Sequence, residues 1–377
     1  MDFSQITKYL DSLYDTYDIP QTDCAVWQDH KPLYRHIIGW ADHEKSVKLT
    51  ANHTYFVYSV SKMFTVTAVM QLVEQGVLSL DGKLEQYIPE YRDILVNTPN
   101  GPIPTHRSIT IHDLLTMSAG IPGNLSGPNV MKMIAQKRAE GSEADTLDIV
   151  RASAADGLIF QPGSHFQYTS CHDVLAGVIQ AVTGLRYSAY IQKHIADPLG
   201  MTATGVISDP SLLEHMADQY WYRDGKSQPH SKTNFALLTP NHENGGAAII
   251  SSVDDCIRLA DALACGGIGV TGNRILREET IAQIRTPRLT GTCKADFDAI
   301  RKIGYNYGLG VRTLVDQQAG PSRSPLGEFG WDGAAGAYFL CDSTNRISIY
   351  LAHHTVGLTP GDEIHYRVRD MVYEALA

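Results

Sequence analysis

Along this chain apolar residues recur at helical spacing in some stretches, alternate in others, and in one run occupy nearly every face. Near the start, Ile6, Leu10, Leu13 and Tyr17 lie three or four apart, the stripe of an amphipathic helix. TDCAVWQ and LYRHIIGWAD then flank the turn residues 29–32, which predicts a β-hairpin. Residues 55–73, YFVYSVSKMFTVTAVMQLV, are apolar apart from Lys62, Gln71 and the hydroxyls of Ser59, Ser61, Thr65 and Thr67. Those polar groups argue against a membrane span, and a helix apolar nearly all round belongs in a large core. Gly76 is its candidate stop. From about residue 108 to 200 the pattern is helical, with ITIHDLLTMSAG, PNVMKMIAQKRAEG, ADTLDIVRASAADG and CHDVLAGVIQAVTG each closing at or near glycine. Strands return in YGLGVRTLV, GAYFLCDS and NRISIYLAHH, the last two joined by a short turn, and a helix over 362–376 follows. Strands at both ends with helices between predict one sheet shared by the two ends and a helical lobe inserted into it. The seam between the lobes is where a pocket is expected.

Composition narrows the functions. With 19% charged residues and a formal charge of -10, the chain lacks the clustered cations that nucleic-acid phosphates require. Six cysteines at irregular spacing, without a Cys-x-x-Cys pair, read as reduced structural thiols. The first twenty residues have no basic start and no apolar core, so a cytoplasmic protein is expected. No metal-ligand spacing stands out among the fifteen histidines, so no metal or cofactor is expected.

Ser59-Val60-Ser61-Lys62 is the one Ser-x-x-Lys in the chain. At the start of a buried helix, Ser59 would meet the positive end of the helix dipole, and Lys62 would lie on the same face. Desolvation penalises the charged form of a buried amine, so Lys62 among Val57, Val60, Met63 and Phe64 is a candidate proton acceptor for the Ser59 hydroxyl. The plain alternative is a lysine whose stem lines the core while its head reaches water. Tyr168-Thr169-Ser170, after Pro162-Gly163, offers a phenol that could relay a proton; the alternative is a core tyrosine with a satisfied hydroxyl. Trp331-Asp332-Gly333-Ala334-Ala335-Gly336 precedes a strand, and its small residues allow close backbone approach to a ligand, or simply make a turn. No Gly-x-Ser-x-Gly elbow exists, which closes the α/β-hydrolase route.

In chain order these pieces resemble the superfamily of class C β-lactamases, penicillin-binding proteins and related carboxylesterases. FVYSVSKMFT resembles its Ser-x-x-Lys segment. LVEQGVLSLDGKLEQYIPEY, ITIHDLLTMSAGIPG, PGSHFQYTS, DPLGM and GGAAIISSVDD resemble its connecting segments in the usual order, from about residue 20 to 354. The resemblance implies an α+β fold, an antiparallel sheet flanked by helices with an inserted all-helical lobe. It makes residues 1–377 one catalytic unit, with an α/β lobe of about 1–58 and 241–377 and a helical lobe of about 59–240. It further implies an acyl-enzyme on Ser59, proton handling by Lys62 and Tyr168, and an oxyanion hole from the backbone amides of Ser59 and Ala334.

This chain departs from the family pattern at two places. Ser170 stands where the tyrosine motif usually ends in Asn, and Trp331-Asp332-Gly333 stands where β-lactamases carry Lys-Thr-Gly. The cation that would receive a β-lactam carboxylate is therefore replaced, and Asp332 has no compensating charge visible in the sequence. Ser170, Trp331, Asp332 and Gly333 are the candidate substrate-contacting residues, and loops near 118–128 and 218–246, with an aromatic hairpin at Tyr220, Trp221 and Tyr222, are candidates to shape the pocket. The expected partner is a small uncharged or weakly cationic ester, reactive amide or peptide, not nucleic acid or membrane. Hydrolysis of an ester leads. A D-amino-acid peptidase in which Asp332 pairs a substrate amine, a weak β-lactamase, and a non-catalytic binding protein are the alternatives.

Overall fold

A computed structural model describes residues 1–207, 209–232, 237–300, 302–358 and 361–377. Seven strands form one antiparallel sheet in the order Tyr305–Tyr307, Arg312–Leu314, Phe329–Asp332, Tyr338–Asp342, Ile347–Ala352, Gln21–Gln28 and Lys31–Gly39. The early hairpin thus lies beside the last long strand, with Cys24 opposite Leu351 and Val26 opposite Ile349. Asp29 and His30 both take positive φ, 51° and 66°, as a two-residue turn matched to the twist of a hairpin requires.

Both faces of the sheet are covered, and the alternation of side chains decides by what. Cys24, Val26, Leu340, Ile349 and Leu351 pack with Ile6, Leu10 and Leu13 of helix Ser4–Tyr17 and with Ile364, Val368 and Val372 of helix Gly361–Leu376. Ala25, Phe339, Cys341 and Tyr350, one position out of step, point to the main core, where helix Val253–Ala264 lies across the strands. A period of two thus sorts one strand between two cores.

The helical region is built around helix Cys171–Thr183, which packs on Ser61–Glu74, Ile111–Leu115 and Thr146–Ser153. The apolar run at 55–73 proves to be composite. Thr54–Phe56 is a strand paired with Ile249–Ser252, Tyr58–Val60 a single 3₁₀ turn, and the α-helix proper spans Ser61–Glu74, followed by Gly76 at φ 72°. A short apolar run buried on all sides has no periodicity to separate strand from helix. Among the described residues no single helix is long and apolar enough to cross a membrane.

Candidate active site

Ser59 sits in the 3₁₀ turn Tyr58–Val60, one residue before helix Ser61–Glu74. The turn is anchored at its start by Val57 N–H donating to the Ile249 carbonyl, 3.1 Å. Tyr58, immediately before Ser59, takes φ 49°, a left-handed conformation that is strained for a bulky side chain. Its hydroxyl donates to Oε1 of Gln219 at 2.6 Å, and burial pushes the phenol up to about 12. Such strain persists only where surrounding contacts impose it.

Lys62 lies one helical turn on and is 4% exposed. Its Nζ reaches Ser59 Oγ at 3.2 Å and the Gly246 carbonyl at 2.8 Å, and it stands 4.6 Å from the centre of the Tyr168 ring. The amine is thus held against the hydroxyl by a fixed backbone acceptor, and the reading of Lys62 as a solvent-reaching lysine is excluded. The segment that supplies this acceptor grips the helix at two further places and also bonds to helix Cys171–Thr183. Gly246 N–H donates to Asp173 Oδ1 and Asn244 Oδ1, Thr65 Oγ1 donates to the Gly245 carbonyl, and Ile249 N–H donates to Ser61 Oγ. Asp173 is buried; burial raises its carboxyl, opposed by the charge of Lys62. Burial, reinforced by Lys62, pushes the neighbouring His172 well below the usual histidine range.

Asp173, Asn244 and Gly246 were not singled out from the sequence. The signal was the pair Gly245-Gly246. A Cβ on Gly245 would overlap the His172 carbonyl, and one on Gly246 would lie 2.8 Å from Asp173 Oδ1 and 3.3 Å from Lys62 Nζ. Glycine is required there because backbone and ammonium approach where a side chain would stand.

Tyr168 is half-buried on the loop before helix Cys171–Thr183. Its Oη accepts a hydrogen bond from Trp331 Nε1 at 2.9 Å, and the two rings stack 5.4 Å apart. Trp331 in turn meets Tyr307 edge-on at 5.2 Å. Strand Phe329–Asp332 therefore presents a neutral donor to the phenol. Ser170 turns elsewhere: its hydroxyl donates to the Gly123 carbonyl and its N–H to the Pro122 carbonyl, closing the loop near 118–128. Residues 233–236 of the second candidate loop lie outside the described residues, while the aromatic hairpin forms from Gln219–Arg223 and Lys226–His230.

Asp332 differs most from expectation. Its carboxylate accepts from Arg312 Nη1 at 2.7 Å and from Lys302 Nζ at 2.6 Å, and that ammonium also reaches Asp362 at 2.6 Å. Burial alone would raise this carboxyl, but Arg312 and Lys302 outweigh it and hold the group well below the usual range. The charge that sequence left uncompensated is doubly paired, so no free carboxylate remains there to meet a substrate amine. Gly333 lies against the Ser59 turn, where an added Cβ would come 2.5 Å from the Val57 carbonyl. Ala334 follows, exposed, in a turn closed by Gly333 N–H to the Ala337 carbonyl (2.8 Å) and Gly336 N–H to the Gly333 carbonyl (2.9 Å).

Residues 6–373 match the family model described as Beta-lactamase. The chain belongs to the Beta-lactamase family. Members of this family are hydrolases, and relatives extend over most of the chain. Protein Rv1367c of Mycobacterium tuberculosis (strain ATCC 25618 / H37Rv) is 29% identical over 346 residues, covering 89% of this chain and 86% of its own. Esterase EstB of Burkholderia gladioli is 26% identical over 359 residues, covering 90% and 87%. Among solved structures, EstCE1, described as a hydrolase with promiscuous acyltransferase activity, superposes with a TM-score of 0.80 at 23% identity, covering 98% of each chain. The α+β fold with its antiparallel sheet and flanking helices is therefore that of the family, as its sequence segments implied.

Proposed function

We propose that this protein is a serine ester hydrolase that forms an acyl-enzyme on Ser59. The observation that carries the reading is the buried Lys62 amine, 3.2 Å from Ser59 Oγ and fixed on the Gly246 carbonyl, beneath a phenol that a neutral indole engages. In its neutral form Lys62 accepts the Ser59 proton as Oγ attacks the ester carbonyl. The tetrahedral oxyanion is received by the backbone N–H groups of Ser59 and Ala334. Tyr168, beside Lys62, passes a proton to the departing alkoxide, which leaves as the alcohol. Water then attacks the acyl-enzyme, with the same groups accepting its proton, and releases the carboxylic acid and free Ser59.

Preference for a neutral ester is supported by the groups around Tyr168. Trp331 gives an N–H and an apolar face where a cation would favour an anionic substrate. The nearby cations Lys302 and Arg312 are engaged by carboxylates. EstB, similar over most of the chain, is an esterase, which supports an ester as the substrate.

Hydrolysis of p-nitrophenyl butyrate tests the reading, with labelling by a fluorophosphonate probe read by intact-protein mass. Wild type is expected to turn over the ester and gain one probe adduct, and Ser59→Ala to do neither. Equal rates and equal labelling for the two proteins would refute it.

A further inference from the structure

The Ala334 amide can serve an oxyanion only if its peptide plane faces the right way, and the structure contains a device that fixes that plane. A trans peptide points its N–H opposite to its C=O. The Gly333 carbonyl is turned inward to accept from Gly336 N–H at 2.9 Å, so the Ala334 N–H of the same peptide is turned outward. The plane thus depends on where Gly336 sits.

Gly336 is held from behind by two buried histidines. His365, on helix Gly361–Leu376 and 3% exposed, donates from Nε2 to the Gly336 carbonyl at 3.2 Å, with its ring stacked on Tyr338 at 4.8 Å. His353, 1% exposed, lies so close to the Gly336 Cα that any Cβ there would overlap its ring, and Gly336 takes φ 87°. Thr355 N–H fixes the Ala335 carbonyl at 3.1 Å. A carbonyl can only accept, so His365 Nε2 carries a hydrogen in this bond. Nδ1 then faces the Asp332 carboxylate at 4.0 Å.

We infer that His365 is a positioning residue for the oxyanion turn, acting through the Gly336 carbonyl to orient the Ala334 N–H. This rests on the proposed role of Ala334 in an acyl-transfer reaction. A group that aims an oxyanion donor contributes in the transition state and little in the ground state, so its loss lowers kcat and leaves KM nearly unchanged.

The test compares His365→Leu, His365→Asn and His365→Gln with wild type on p-nitrophenyl butyrate. The Gln amide nitrogen can reach the place of Nε2; the shorter Asn amide cannot. Removal of a whole oxyanion donor costs about 10²–10³ in kcat, so a loosened donor is expected to cost about 10–100-fold in His365→Leu and His365→Asn, with KM within twofold. His365→Gln is expected to recover most of the loss. Should the Leu variant fail to fold, the Asn and Gln pair, both polar amides, decides alone. Wild-type kcat in the Asn variant, or equal kcat in Asn and Gln, overturns the inference while wild-type turnover and Ser59 labelling leave the esterase reading standing. A wild type that neither turns over ester nor labels at Ser59 removes both.

Discussion

An indole N–H and a lysine ammonium place different demands on the phenol they touch. Trp331 gives Tyr168 a neutral hydrogen bond, worth about 1 kcal/mol, without a charge that would hold the phenolate. Trp331→Phe keeps the stacked ring and deletes the donor. We expect kcat on p-nitrophenyl butyrate to fall about fivefold with little change in KM, measured by steady-state kinetics. Asp332, the next residue, governs stability. Its carboxyl lies below the unfolded value of ~3.9, so its contribution is complete above that pH and is lost as pH falls further. Asp332→Asn leaves Arg312 and Lys302 buried beside a neutral amide and is expected to cost about 3 kcal/mol at pH 7. In urea unfolding followed across pH, that difference should narrow below about pH 4. Ser59, Lys62 and Tyr168 could be nominated from the sequence because Ser-x-x-Lys and Tyr-Thr-Ser are local patterns that stand in order among segments resembling the family. The partners of Asp332 could not, because Arg312 reaches it from the adjacent strand, twenty residues away, and Lys302 from outside the strands, thirty residues away.

At the scale of elements, the site depends on how helix Ser61–Glu74 is gripped. Residues 244–249 bind it through Thr65, Lys62 and Ser61, and the grip requires backbone at side-chain distance. Gly245→Ala would drive a methyl into the His172 carbonyl and is expected to cost about 3 kcal/mol or more, whereas Gly361→Ala, with open space around it among the described residues at the start of a helix, should be neutral or slightly stabilising. Urea midpoints of the two variants check this. The strand at Thr54–Phe56 was hidden in the sequence for a related reason. Its partners are backbone groups of Ile249–Ser252, and apolar residues buried on both sides carry no period that announces a strand. The hairpin after helix Ser4–Tyr17 was legible, since Asp29 and His30 are turn-forming residues between two β-rich runs.

For the whole molecule, the pairing of early and late strands in one sheet followed from the β-rich segments at both ends of the sequence, and its antiparallel order from the resemblance to the family. What they could not give is which helix covers which face, because that follows from three-dimensional packing. Helices Ser4–Tyr17 and Gly361–Leu376 share one face, and the second also carries His365 to the turn behind Ala334. Deletion of residues 361–377 should therefore uncover Ile6, Leu13, Leu340 and Leu351 together. The expected outcome is strong binding of a hydrophobic dye, aggregation on size-exclusion chromatography and loss of any turnover of p-nitrophenyl butyrate.

Strand Gln21–Gln28 occupies an interior place in its sheet, yet one of its two neighbours, Ile347–Ala352, is synthesised more than three hundred residues later. At about 5–20 residues per second, a ribosome takes roughly 15–65 seconds to cover that interval. Throughout it, the hairpin's open edge, with Cys24, Ala25 and Val26 along it, has hydrogen-bonding groups and apolar side chains awaiting a neighbour. Production of this protein is therefore expected to be sensitive to holding chaperones and to the temperature of synthesis, independently of how stable the finished molecule is.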